Sequence, residues 1–257
     1  MFDETIRDIQ AWFRQKSEEN RTRRFDVTAL IETSRMCSNG ENRGGRNPQI
    51  ILKEDTHIEL GHPSAGSCSV ALATCDSSLV VNGRVTLIGP DIPETEEKML
   101  PFAQIAFACC RGDIAETSWE MDRILHVRAQ TDGYMLRSVP NLIWARVSKE
   151  AARSGFSLRD LGARLIEALN SECAGVTASE VLFVTSSRED VSALDAIVET
   201  ARNKLRKLQT FERKADGTYE CTTSLDCTEC PEKPVCDTVR QVITIRKGDR
   251  IIRFGGD

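Results

Sequence analysis

Hydrophobic and polar positions alternate along this chain with two different periods. Ile6, Ile9, Trp12 and Phe13 recur at helical spacing with charges between them, so residues 3–18 predict a short amphipathic helix. Glu41–Pro48 is polar and glycine-bearing and predicts a loop. Strands are expected at 49–53 and 56–60, joined by Glu54-Asp55, and at 69–75 and 84–88, with Asn82-Gly83 as the turn signal between the last two. Phe102–Cys110 is an uncharged apolar run that reads as a buried strand. Residues 116–130 predict a helix with Ile124, Leu125 and Val127 on its apolar side. Asn141–Val147 predicts a strand, and Ser148 can N-cap a short helix behind it. Ser157 is a second cap signal for a helix to about residue 171. Ser179–Thr185 predicts a buried strand, and Ser187–Asp190 opens a long helix to about residue 208. Gln241–Phe254 predicts a hairpin with Lys247-Gly248-Asp249 at its turn.

Strands alternating with helices predict an α+β fold, a layered α/β sandwich with a mixed sheet and helices. The character of the chain changes near residue 209, where a cysteine-rich segment begins. The expected division is therefore residues 1–48 as an N-terminal helix and loop, 49–209 as the α+β domain, and 210–257 as a small cysteine-rich appendage ending in a β-hairpin.

Composition narrows the classes of function. The chain has 257 residues, enough for a real core. Its net charge of −5 and its 5% aromatic content argue against a nucleic-acid surface. There is no apolar run long enough to span a bilayer. Residues 1–13 lack a signal-peptide core, so a cytoplasmic location is expected. In a reducing compartment, ten cysteines point to metal ligands or buried thiols rather than a disulfide framework.

Cys221, Cys227, Cys230 and Cys236 fall within sixteen residues, and Cys227 and Cys230 form a Cys-x-x-Cys. A two-residue spacer lets both sulfurs reach one metal ion. Pro231 and Pro234 discourage a helix there. Four thiolates suit either zinc or an iron–sulfur cluster, and spacing alone does not choose between them. Cys109 and Cys110 end an apolar strand and, as neighbours, face opposite sides of it. They read as buried core thiols, as do Cys37, Cys68, Cys75 and Cys173, which carry no motif. His57, His62 and His126 are scattered; His62, in Gly61-His62-Pro63, reads as a solvated turn residue.

Several short stretches together carry a resemblance: Val85–Ile92, Met99–Phe102, Arg123–His126, Trp144–Lys149, and Gly155-Phe156. In this order and spacing they resemble the carbon monoxide dehydrogenase/acetyl-CoA synthase family, at the middle domain of its beta subunit, over roughly residues 50–208. The resemblance implies a place in anaerobic one-carbon metabolism, beside the CO-methylating acetyl-CoA synthase reaction. It implies that Cys227, Cys230 and Cys236 correspond to the first three ligands of a [4Fe–4S] cluster, with Cys221 standing in as the fourth. The family's later Cys-Gly-Cys, which holds a nickel ion, has no counterpart in these residues, so an accessory metal-binding homologue is expected. The resemblance also implies CoA, received through arginines of the middle domain. Arg123, Arg128, Arg137, Arg146 and Lys149 surround the best-matched segment, and Arg137, Arg146 and Lys149 are the candidates taken forward. A solvated charged face is the competing account of the same residues. The expected partner is a corrinoid or methyltransferase protein. A zinc-stapled interaction module without redox or transferase activity is the alternative.

Overall fold

The computed structural model describes residues 2–19, 22–38, 50–112, 124–125, 127–129, 131–136, 142–173, 175–207, 211–213 and 219–221. Its contacts group Met1–Lys204 into one unit and Leu205–Asp257 into another.

The first unit is built on two sheets. The larger takes five strands: β1 (Thr22–Asp26), β3 (Ser67–Thr74), β4 (Arg84–Ile88), β6 (Phe102–Cys110) and β9 (Val176–Val184), in the order β1-β4-β9-β6-β3. β4 runs parallel to β9, and β3 parallel to β6, whereas β6 and β9 are antiparallel, as are β1 and β4. The smaller sheet has the order β5-β2-β8-β7, from β2 (Thr56–Leu60), β5 (Met99–Leu100), β7 (Tyr134–Leu136) and β8 (Ala145–Ser148). Helices α1 (Asp3–Glu19), α2 (Thr28–Ser38), α3 (Lys149–Arg153), α4 (Leu158–Glu172) and α5 (Arg188–Lys207) complete the unit, the last ending in the second unit. The mixed sheets with helices are the α+β architecture expected.

β6 and β9 are buried on both faces along most of their length, which is why they read as unbroken apolar runs rather than alternating ones. α4 covers one face of the large sheet. Gly162 of α4 lies so close to Val85 that a β-carbon there would meet its methyl at 2.6 Å, with Phe183 at 3.2 Å. Phe102 stacks on Phe183 at 5.5 Å on that same face. Ser179 donates to Asn170 of α4 at 2.8 Å, extending the contact toward the C-terminal end of the helix. α5 reaches the edge strand β3 through Arg202, which is 4% exposed and donates to Ser69 O and Cys68 Sγ, each at 3.3 Å.

Several expectations change here. Residues 50–52 are not a strand: Ile50 and Leu52 are exposed, the Ile51 N–H donates to Met135 Sδ, and Ile51 O accepts from Arg146. Residues 22–26 and 28–38 form β1 and α2, neither of which was expected. The strand placed at 141–147 is confined to Ala145–Ser148. Of the helix expected over 116–130, only Ile124 and Leu125 are helical among the described residues, with Ile124 and Val127 buried. Ser148 and Ser157 cap α3 and α4, accepting from Ala151 N and Asp160 N. Cys68, Cys109, Cys110 and Cys173 are buried, but Cys75 is exposed beside the Asp76-capped turn that follows β3. The side chain of Cys37, the hairpin at 241–254 and most of the cysteine loop lie outside the described residues.

In the second unit, β10 (Phe211–Arg213) and β11 (Tyr219–Cys221) form an antiparallel hairpin in which Cys221 lies opposite Phe211.

Candidate functional site

The small sheet and the two helices behind it frame a cleft of about 660 Å³. Its floor is a close backbone approach. Gly133 has φ +71°, and its carbonyl accepts from Ser148 N at 2.8 Å. A β-carbon at Gly133 would fall 2.3 Å from Ala151 Cβ and 2.7 Å from Ser148 Oγ, so only glycine fits. One wall is Phe156, stacked on the buried Tyr134 with ring centres 6.0 Å apart. Burial raises the Tyr134 phenol above its ordinary range, so it stays neutral. Asp132, Glu150 and Asp160 bring carboxylates to the lining, and none of the described lining residues is basic. Asp160 is engaged by Ser157 and Arg159.

Arg128 lies near Tyr134, behind this wall of the cleft. It is half-buried, and its Nη1 donates to Leu125 O at 2.7 Å and Val127 O at 2.9 Å. Among the described residues no carboxylate pairs with it. Burial depresses its pKa, and the nearby Tyr134 acts in the opposite direction. A partly desolvated guanidinium whose described partners are all carbonyls retains donors and charge for an anion.

The candidates taken from the sequence fare differently. Arg146 is held by Glu59 at 2.8 Å and by Ile51 O at 3.2 Å, both side chains of the ion pair being largely buried. Lys149 is exposed, and its ammonium caps Glu54 O at the turn before β2. Arg123, Arg137, Cys227, Cys230 and Cys236 lie outside the described residues, as does His126. His62 sits in its expected turn, but half-buried, with its ring edge-on to Trp144 at 5.0 Å and Nδ1 taken up by Ser64. Trp144 is likewise half-buried. His57 is pushed below the usual histidine range by burial, with Lys98, Arg153 and Lys149 adding to it. Arg128 was among the basic residues considered, yet its sequence neighbourhood carried no sign that no described carboxylate pairs with it.

The short motifs that carry the resemblance do structural work. Gly89 has φ +103° and comes so near Ser186 N that a β-carbon would meet it at 2.5 Å. Asp91 accepts from Ile92 N at 2.7 Å and from Leu158 N at 2.8 Å, anchoring the start of α4. Phe102 and Phe183 stack across β6 and β9, and Ser148 caps α3.

The two mixed sheets and the helices packed on them define an α+β protein. Residues 46–191 match the family described as CO dehydrogenase/acetyl-CoA synthase complex beta subunit, and the chain belongs to that family. It is 28% identical over 219 residues to the acetyl-CoA decarbonylase/synthase complex subunit beta of Archaeoglobus fulgidus, covering 83% of this chain and 36% of that protein. It is 29% identical over 161 residues to the subunit of the same name from Methanopyrus kandleri, covering 61% of this chain and 33% of the relative. It is also similar, at 24% identity over 161 residues, to the carbon monoxide dehydrogenase/acetyl-CoA synthase subunit alpha of Moorella thermoacetica, with 62% of this chain and 22% of that one covered. The chain thus spans about a third of the length of the archaeal relatives it matches. No helix among the described residues is long and apolar enough to cross a membrane.

Proposed function

We propose that this chain serves a CO dehydrogenase/acetyl-CoA synthase-type complex of anaerobic one-carbon metabolism as an accessory subunit that receives CoA and carries a cysteine-held metal centre. Arg128 carries the CoA half of this proposal. Its charge is partly withdrawn from water, two backbone carbonyls orient it, and no described carboxylate neutralises it. Phosphate oxygens are the complement of such a group, because guanidinium donors meet them in pairs. Arg137 and Lys149 supply further positive charge, and Arg146 fixes the β8 edge through Glu59.

For the metal centre, Cys227, Cys230 and Cys236 with Cys221 form an all-thiolate donor set that suits an iron–sulfur cluster. A cluster there would pass electrons, and a corrinoid or methyl-transfer protein is the partner to which the complex would dock it. One observation favours a second account. Cys221 closes a two-stranded hairpin, a setting also suited to a structural zinc knob that only folds its own segment.

Anaerobic purification followed by iron, zinc and nickel analysis separates the two. Stoichiometric iron with a broad visible band supports the cluster; one zinc in a colourless protein supports the staple; no transition metal removes both. Titration calorimetry with CoA tests the other half, since failure to bind CoA with the metal loaded would remove it.

A further inference from the structure

We propose that Cys110 and Cys173 are an oxidisable dithiol, able to close into a disulfide that fastens the end of β6 to the end of α4. The strand register brings them together. Cys110 is the last residue of β6 and lies opposite Val176 of β9. The Val176 N–H donates to Cys173 O at 3.0 Å, so Cys173 stands one tight turn away. On the next rung beyond, the Arg111 N–H donates to Gly175 O at 3.1 Å, which keeps β6 beside that turn.

The face is the same as well. The register shift between Cys109 and Cys110 puts its extra residue, Thr177, on β9, so β6 keeps its own alternation and Phe102, Ala108 and Cys110 share one side of it. Phe102 stacks on Phe183, which lies beneath Gly162 of α4. Ser179, opposite Ala108, donates to Asn170 of α4 at 2.8 Å. Two residues beyond Ala108 comes Cys110, and three residues beyond Asn170 comes Cys173, the C-cap of that helix. Cys109 belongs to the opposite face. Cys110 is 3% exposed and Cys173 0%, so a small oxidant reaches them only when the end of α4 opens locally, and the two thiols then lie nearer to each other than to any further molecule.

The chemistry is thiol–disulfide exchange with a small-molecule disulfide such as oxidised glutathione. One cysteine thiolate attacks a sulfur of the oxidant and expels one glutathione thiolate. The second cysteine thiolate attacks the mixed disulfide and expels the other. Two protein thiols are oxidised to one disulfide, one glutathione disulfide is reduced to two thiols, and protons balance.

The full chain, purified without oxygen, is equilibrated with oxidised glutathione, trapped with N-ethylmaleimide and mapped by peptide mass spectrometry. A Cys110–Cys173 cross-linked peptide is expected, absent from Cys110→Ala and Cys173→Ala and retained in Cys109→Ala. Oxidation should raise the thermal midpoint of the wild-type chain and leave that of Cys110→Ala unchanged. The wild-type peptide map decides the matter even where a variant fails to fold. Cys110 and Cys173 both alkylated when the trap is applied in denaturant, each carrying only glutathione, or a cross-link through Cys109 instead would overturn the proposal.

Discussion

Gly133 and Ala151 stand so close that a β-carbon on the glycine would lie 2.3 Å from the alanine methyl. Gly155, on the same cleft, has a similar φ of +83° but no atom within 4 Å of where its β-carbon would be. The pair separates backbone strain from crowding. Gly155→Ala should cost about 1–2 kcal/mol, the left-handed penalty alone. Gly133→Ala adds overpacking of about 1–3 kcal/mol to that penalty. Urea denaturation of the two variants measures the difference, and equal losses would contradict the geometry.

Arg128→Gln removes the charge without removing much bulk. A hydrogen bond to a charged group contributes about 1.5–3 kcal/mol, so CoA affinity should fall by roughly ten- to a hundredfold. Stability should change little or improve, because the variant relieves a partly desolvated charge that no described carboxylate offsets. Calorimetric titration with CoA checks the first expectation and thermal denaturation the second. A destabilised variant that binds CoA with unchanged affinity would make Arg128 a structural residue.

Glu180 is 1% exposed, and burial raises its pKa above the ordinary 4.5, although the Val81 N–H and Arg84 partly offset this. A raised carboxyl binds its proton more tightly when folded. Its stabilising contribution is therefore complete below the unfolded value and is lost as pH rises through the folded one. Glu180→Gln should flatten the decline of stability with pH just above 4.5. The slope it removes is at most about 1.4 kcal/mol per pH unit. Denaturant midpoints at closely spaced pH values measure it, and an unchanged profile would rule Glu180 out as its source.

Burial pushes the Cys68 thiol up to about 12, against the lowering influence of Arg202. Cys75 is exposed. Because the thiolate is the reactive form, iodoacetamide at pH 8 should label Cys75 in the native chain and reach Cys68 only on unfolding. Timed alkylation with peptide mapping reads both sites at once. Labelling of the two at equal rates would show that α5 does not shield Cys68.

Legibility in the sequence followed the strength of local patterns. The buried strands β6 and β9 and the caps Ser148 and Ser157 were readable because each depends on its own neighbours: an unbroken apolar run, or a hydroxyl ahead of a helix. β1 was not readable. Thr22-Arg-Arg-Phe-Asp26 is charged, as suits an edge strand, and only its pairing with β4 makes it one. Ile50–Leu52 misled in the opposite way. Its apolar residues resemble a strand, but Met135 and Arg146 take backbone bonds of Ile51, and no ladder forms.

The candidate cations divided on the same principle. Arg128 and Arg146 look alike along the chain. Their difference is a partner distant in sequence: Glu59 reaches Arg146 from a neighbouring strand, and no described carboxylate reaches Arg128. By itself, the order of residues determined the family, the class of fold and the clustering of cysteines at 221–236, since each is written in spacing between near neighbours. Tertiary structure alone decided which strands pair in which direction, which glycines admit no β-carbon and which of the two guanidiniums a described carboxylate reaches. Those properties belong to groups brought together across many residues, where burial and pairing are properties of space and not of chain order.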